Sequence, residues 1–250
     1  MKRWAILWLL LIALAASSTL PFQETIQEHH LQDSLTRFHD VFGRNIVLLT
    51  LNATLNSFLT IIPLSFVFLF LGASIAIALS SLRRYPVASG IVQGFIDTLA
   101  ALPGLLIALA FSAFGGSSTA SISLATLLVI LPHITRFFES QVTHFKQQSF
   151  YIQSESLGGT SGHRIRVHLF PELVSLGTVF FPVVLSRLLY IETTLSFLGV
   201  GPQSNTDSWG QLLNQGREYM LEAPWLILVS GTPLLLCLWS FHLLTQENSR

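Results

Sequence analysis

Long apolar runs, broken only by short polar turns, constrain this chain more than any other feature. A helix crossing the hydrocarbon core of a bilayer needs about 20 mostly apolar residues, and the sequence offers such a length repeatedly. Trp4–Leu20 is the first candidate. Asn45–Ser80 is too long for one straight crossing, and divides into an interfacial helix carrying Asn52 and Asn56 and a span over Ser57–Leu79. Ile91–Phe114, Ala120–Phe138, Leu173–Leu198 and Trp225–Leu244 follow. In lipid each backbone polar group must be paired within the protein, so these runs predict helices. Composition agrees: 51% of the 250 residues are hydrophobic and 10% are charged, against about 25% charged in an ordinary soluble domain. The expected fold is an all-α integral membrane protein with about six transmembrane helices. Residues 1–45 are expected to form an N-terminal anchor and outer loop, and residues 46–250 the membrane domain.

Six crossings place both termini on one side, and charge selects which. The turns on the N-terminal side hold Lys2, Arg3, Arg83, Arg84, Arg136, Lys146, Arg164, Arg166 and Arg250; the opposite side holds Arg37, Arg44 and Arg217. The bias of basic residues to the inner face predicts cytoplasmic termini. The outer loops are acidic, with Glu24, Glu28, Asp33 and Asp40, then Asp207, Glu218 and Glu222. Lys2-Arg3, an apolar core and Ala15-Ala16-Ser17-Ser18 also fit a cleavable signal peptide, whose removal would leave five spans. The basic residues are few and scattered in turns, which excludes a nucleic-acid binder. Cys237, the single cysteine, lies in an apolar run and can form no disulfide within the chain.

Catalytic signatures are missing. A phosphate loop must end in Gly-Lys-Ser/Thr, and the lysines, Lys2 and Lys146, stand in no such setting. Neither a His-Glu-x-x-His helix nor a Gly-x-Ser-x-Gly elbow occurs. Glu28, His29, His30 and His39 are of metal-ligating type, but their spacing matches no closed site, and no metal is expected. Charges at membrane depth mark functional positions: Asp97, Arg187 and Glu192. An ion-coupled secondary transporter could use these three as its site. The five-residue offset between Arg187 and Glu192 is poor for a pair on one helix face.

One polar segment stands between two apolar blocks: "SFYIQSESLGGTSGHRIRVHLFPE", Ser149–Glu172. Phe150–Leu157 suits a short helix, ended by Gly158-Gly159 in the left-handed conformation. Ile165–Phe170 suits a second, until Pro171 leads into the next span. Loops this long are usually functional, and a short helix on a glycine turn suits a groove on another protein.

Within this segment Leu157-Gly158 and His168-Leu169-Phe170-Pro171 resemble the cytoplasmic loop of the permease subunits of bacterial ATP-binding-cassette importers, nearest the dipeptide/oligopeptide/nickel permeases. Ile152-Gln153-Ser154 stand where that family has Glu-Ala-Ala, and Glu155 follows three places late. Downstream, Glu192, Ser196-Phe197-Leu198-Gly199, Gly201, Ser208-Trp209-Gly210 and Ala223-Pro224-Trp225 match its further motifs. Upstream, Asp40, Gly43 and Arg44 match, as do Asp97, Pro103 and Gly104. The resemblance runs from about Asp40 to Leu244.

It implies a type I importer permease fold in the bacterial inner membrane, with the permease domain over 46–250 and no ATP site of its own. ATP and magnesium would reside on two separate ATPase subunits. A second related permease and a periplasmic or lipid-anchored substrate-binding protein would complete the assembly, with peptide, nickel or another small solute as substrate. The coupling helix would comprise Gln153, Ser154, Glu155, Ser156 and Leu157, held at its angle by a turn at Gly158, with Arg164 and Arg166 facing the ATPase or lipid headgroups. Asp97, Arg187, Glu192 and Trp209 are the candidates for the translocation path or gate. Trp209 would be a rim anchor or an interfacial aromatic. A non-transporting membrane scaffold is the remaining alternative, since Glu-Ala-Ala is absent.

Overall fold

The computed structural model describes residues 44–115, 119–156, 160–201 and 207–248. Helices dominate them: α1 (Ile46–Leu82), α2 (Pro86–Ala101), α3 (Gly104–Gly115), α4 (Thr119–Lys146), α5 (Ser149–Ser156), α6 (Ser161–Arg164), α7 (Phe170–Phe197), α8 (Trp209–Glu218) and α9 (Trp225–Asn248). A π-helical turn, Ile165–Leu169, joins α6 to α7. Four stretches are long and apolar enough to cross a bilayer: Ile46–Leu82, Ala120–Lys146, Gly162–Phe197 and Trp225–Gln246. The bent pair α2–α3 adds a fifth if it is counted as one span. The expected first span, Trp4–Leu20, and the loop after it lie outside the described residues.

Asn45 starts α1, its side-chain oxygen accepting from Val47 N at 3.0 Å and Leu48 N at 3.4 Å, which satisfies two donors that a helix start leaves open. The helix then runs for 37 residues, about 55 Å at 1.5 Å per residue. The expected division into an interfacial helix and a separate span is not found. No glycine or proline occurs between Ile46 and Ile62, so nothing ends the helix near Asn52 or Asn56. Thr50 and Thr54 return their hydroxyl protons to the carbonyls of Ile46 and Thr50, each at 2.7 Å. Asn56 donates to the carbonyl of Asp207 at 3.2 Å, linking α1 to the stretch that leads into α8.

The expected span Ile91–Phe114 is also corrected. It is two helices, α2 and α3, meeting at 92°. Pro103 disfavours the helical conformation at the residue before it, and Leu102 is extended at φ −76, ψ 142. Past the break, Gly104 lies so close to α4 that a Cβ there would meet the Val129 side chain.

The core is built between α1, α4 and α7, with α8 and α9 on one flank and α3 on the other. Ile61 and Phe68 of α1, Ile130, Ile134 and Phe138 of α4, and Leu188, Leu189 and Leu195 of α7 are fully buried within it. At Gly72 α1 lies so near α4 that a Cβ would collide with Ile134. Phe137 and Phe180 stack with centroids 4.0 Å apart and planes 5° apart, tying α4 to α7. Aromatic pairs of this kind add about 0.5–1.5 kcal/mol beyond area burial.

Candidate coupling segment and translocation face

The polar segment folds much as its sequence suggests at its start and differently at its end. α5 covers Ser149–Ser156, and places Gln153 and Ser154 on a helix whose Ile152 and Gln153 are exposed. Leu157 and Gly158 lie outside the described residues, as do the side chains of Glu155 and Ser156. Tyr151 is buried, and meets Phe145 of α4 edge-on at 6.0 Å. The Arg164 guanidinium lies 5.0 Å from the Tyr151 ring centroid, a cation–π contact. Arg164 is therefore buried inside the segment and does not face a partner or headgroups, whereas Arg166 is exposed.

Pro171 does not separate the segment from the span. Its ring would clash with the carbonyl of Val167 in a regular helix. The π turn immediately before it admits an extra residue per turn, and Phe170 N–H reaches back to Ile165 O. The helix thus continues unbroken from Gly162 to Phe197.

At the other end α7 stops on a Schellman motif. Gly199 takes φ +78, Val200 N–H bonds Leu195 O at 3.0 Å, and Gly199 N–H bonds Ser196 O at 3.1 Å. Gly201 then folds back onto Ser196, and Gly210 of α8 lies against the Thr193 carbonyl and Ser196. Ser208 caps α8 by accepting from Gln211 N at 3.3 Å. Trp209 is fully buried, its ring 6.2 Å from Phe58 in an edge-on contact. It is a core anchor between α8 and α1, not an exposed rim or interfacial aromatic. Gly201 and Gly210 matter because neighbouring atoms leave no room for a Cβ, and Gly199 because its φ is positive, which spacing alone does not reveal.

The three charges at membrane depth do not converge. Asp97 is bound by Arg136, whose Nε donates to Asp97 Oδ1 at 2.8 Å. Arg187 is exposed on α7, within electrostatic reach of His133 on α4. Glu192 lies deeper toward α1, near the Ser57 hydroxyl. Its Oε2 is buried without a hydrogen-bond partner in the structure. The carboxyl lines a cavity of about 20 Å³ with Thr60, Ser123 and Thr126. These separate surroundings disagree with one ion-coupling site made from Asp97, Arg187 and Glu192. Among the described residues no group of three or more His, Cys, Asp or Glu side chains could hold a metal ion.

Sequence reasoning assigned Arg136 to a cytoplasmic turn and passed over Glu139. In the structure both lie within α4. Arg136 Nη1 donates to Glu139 Oε2 at 2.6 Å, and Arg83, at the C-terminal cap of α1, reaches Glu139 Oε1 at 3.4 Å. The three-residue spacing of Arg136 and Glu139 puts them on one helix face, which is the signal that could have found them.

Membrane-length helices, a polar segment continuous with one of them and a turn closed on glycines at its other end describe a multi-pass membrane protein. Residues 69–246 match the family described as the binding-protein-dependent transport system inner membrane component, and the chain belongs to that family. It is an ABC importer permease with the type I permease fold. The chain is 32% identical over 153 residues to the glutathione transport system permease protein GsiD of Salmonella typhimurium, covering 61% of this chain and 50% of the relative. The GsiD protein of Escherichia coli O6:H1 is 31% identical over 154 residues, covering 62% and 51%. The chain spans about half the length of the curated relatives it matches.

Proposed function

We propose that this chain forms one half of a path that imports peptides or a related small solute, driven by ATP hydrolysis on two separate ATPase subunits that carry the nucleotide and magnesium. A second related permease supplies the other half, and a periplasmic or lipid-anchored binding protein delivers the solute. The observation that carries this reading is the family match over 69–246, which includes the whole polar segment. The named relatives transport glutathione, itself a small peptide, and this supports a peptide-like substrate.

In this reading α5, with Gln153, Ser154, Glu155, Ser156, Leu157 and Gly158, seats in the ATPase and turns its closure into movement of α7. Arg166 extends the contact surface. The exposed Arg187 and its neighbour His133 face the watery path or the second permease, since charge at membrane depth avoids lipid. Both termini face the cytoplasm, in keeping with the distribution of Lys and Arg.

Isolation of the chain from its native membrane in mild detergent tests the assembly. An ATPase and a second permease should co-purify, and crosslinkers placed in 149–172 should capture the ATPase. Uptake should survive collapse of the proton gradient and stop on ATP depletion. A chain recovered alone, or uptake that follows the proton gradient, would overturn the proposal.

A further inference from the structure

The two halves of the bent pair are held in different ways. α3 enters the main core through Ala108, with Ile107 and Leu109 packed against it. α2 contributes no residue to that core; only Ser89 and Ile96 are buried on it, while Val87, Ile91 and Phe95 are exposed. Gly90 and Gly94 have no atom within 4 Å of where a Cβ would stand. Polar contacts hold α2 instead. Arg136 bonds Asp97 through Nε and Nη2, and Nη2 also donates to the Gln93 carbonyl at 3.2 Å. The Gln93 amide donates to Glu139 Oε1 at 3.0 Å, and Glu139 is pinned by Arg83 from the C-terminal cap of α1. Two arginines and two carboxylates thus close a neutral network across three helices.

Its two sides differ in exposure. The Glu139 side chain is 4% exposed and the Asp97 side chain 62%. The Arg136–Glu139 pair is a fixed base, both residues standing three apart on α4, and the Asp97 contact is the one that bridges two helices and so must open if they part. The break at Leu102–Pro103 supplies a joint at the end of α2 nearest α3.

We propose that Arg136 is a positioning residue that latches α2 to α4 through Asp97, and that α2 swings about the Leu102–Pro103 joint when this contact releases during transport. The latch itself is a property of the isolated chain; its release during transport rests on the importer reading above. No α2 residue enters the main core. Of the polar contacts that hold α2 to α4, the Asp97 carboxylate is the one that a single side-chain substitution removes while Gln93 stays in place. Its loss should loosen α2 while the rest of the bundle stands.

Spin labels on the full-length chain in lipid nanodiscs test this, at Val87→Cys on α2 and His144→Cys on α4. Both sites are exposed, and the native Cys237 is buried. The parent should give one dominant separation. Asp97→Asn should raise a second, longer one, shifting the ratio by up to about fivefold, the worth of an exposed ion pair. Asp97→Glu, which keeps the carboxylate, should restore the parent pattern. An Asp97→Asn trace identical to the parent overturns the latch, as does an Asp97→Glu trace as broad as that of Asn. In the assembled importer ATP should populate the longer separation, and a separation that ignores ATP overturns the transport role. Failure to recover an ATPase would count against the importer reading and leave the nanodisc measurement valid.

Discussion

Gly199 and Gly210 are held by different constraints, and their substitutions should separate. Gly199 is in the left-handed region, which costs an L-residue roughly 1–2 kcal/mol. Gly199→Ala should lower stability by about that amount. Gly210 has ordinary backbone geometry, but a Cβ would strike the Thr193 carbonyl and Ser196. Gly210→Ala should therefore cost about 1–3 kcal/mol by overpacking, and a larger side chain more. Trp209→Ala, which empties a fully buried site, should cost about 3–5 kcal/mol. Thermal unfolding of the purified chain in one detergent ranks all three. An unchanged midpoint for Trp209→Ala would return Trp209 to the surface. The sequence shows these residues as a motif without showing that the motif is a turn docked on α7. Burial of Trp209 follows from Phe58, far away in the chain, and no local pattern reports it.

At the scale of the element, the polar segment divides its two arginines between structure and recognition. Arg164 lies over Tyr151, which lies against Phe145, so three consecutive elements are stitched through one cation. Arg166 is exposed. Arg164→Ala should lower the melting midpoint and loosen α5, read as faster amide exchange across 149–156. Arg166→Glu should leave the midpoint alone and weaken ATPase recovery several-fold. A common effect of both on stability would contradict the division. The helix over Ser149–Ser156 was legible from its flanking glycines and mixed polarity. The bend at Pro103 was legible too, from Leu-Pro-Gly inside an apolar run, yet hydropathy outweighed it. An averaged window registers what is apolar and is blind to a single disfavoured conformation. The length of α1 was hidden by the opposite error: Asn52 and Asn56 suggested a boundary where no helix breaker exists.

For the whole molecule, the order of spans was legible because lipid demands long apolar helices, and the family match agrees with that reading over 69–246. What the sequence did not disclose were partnerships between distant charges. Arg83, Asp97 and the Arg136–Glu139 pair look unrelated in the sequence until all four residues meet where α1 ends and α2 and α4 pack. Sidedness is open to a direct test. Single cysteines at Arg84 and Arg166 should react with an impermeant reagent only from the cytoplasmic face, and cysteines at Glu218 and Glu222 only from the outer face. Reaction of all four from one face would contradict the expected orientation.

The unbroken helix from Gly162 to Phe197 has a mechanical consequence. Its 36 residues extend roughly 54 Å, so a tilt of roughly 5° displaces one end by nearly 5 Å relative to the other. The π turn acts as a splice where a joint would otherwise form at Pro171. A displacement of the Gly162 end is therefore carried along one helix to the glycine turn that closes the Phe197 end. Two sites on opposite faces of the membrane are geared together by a single piece of backbone.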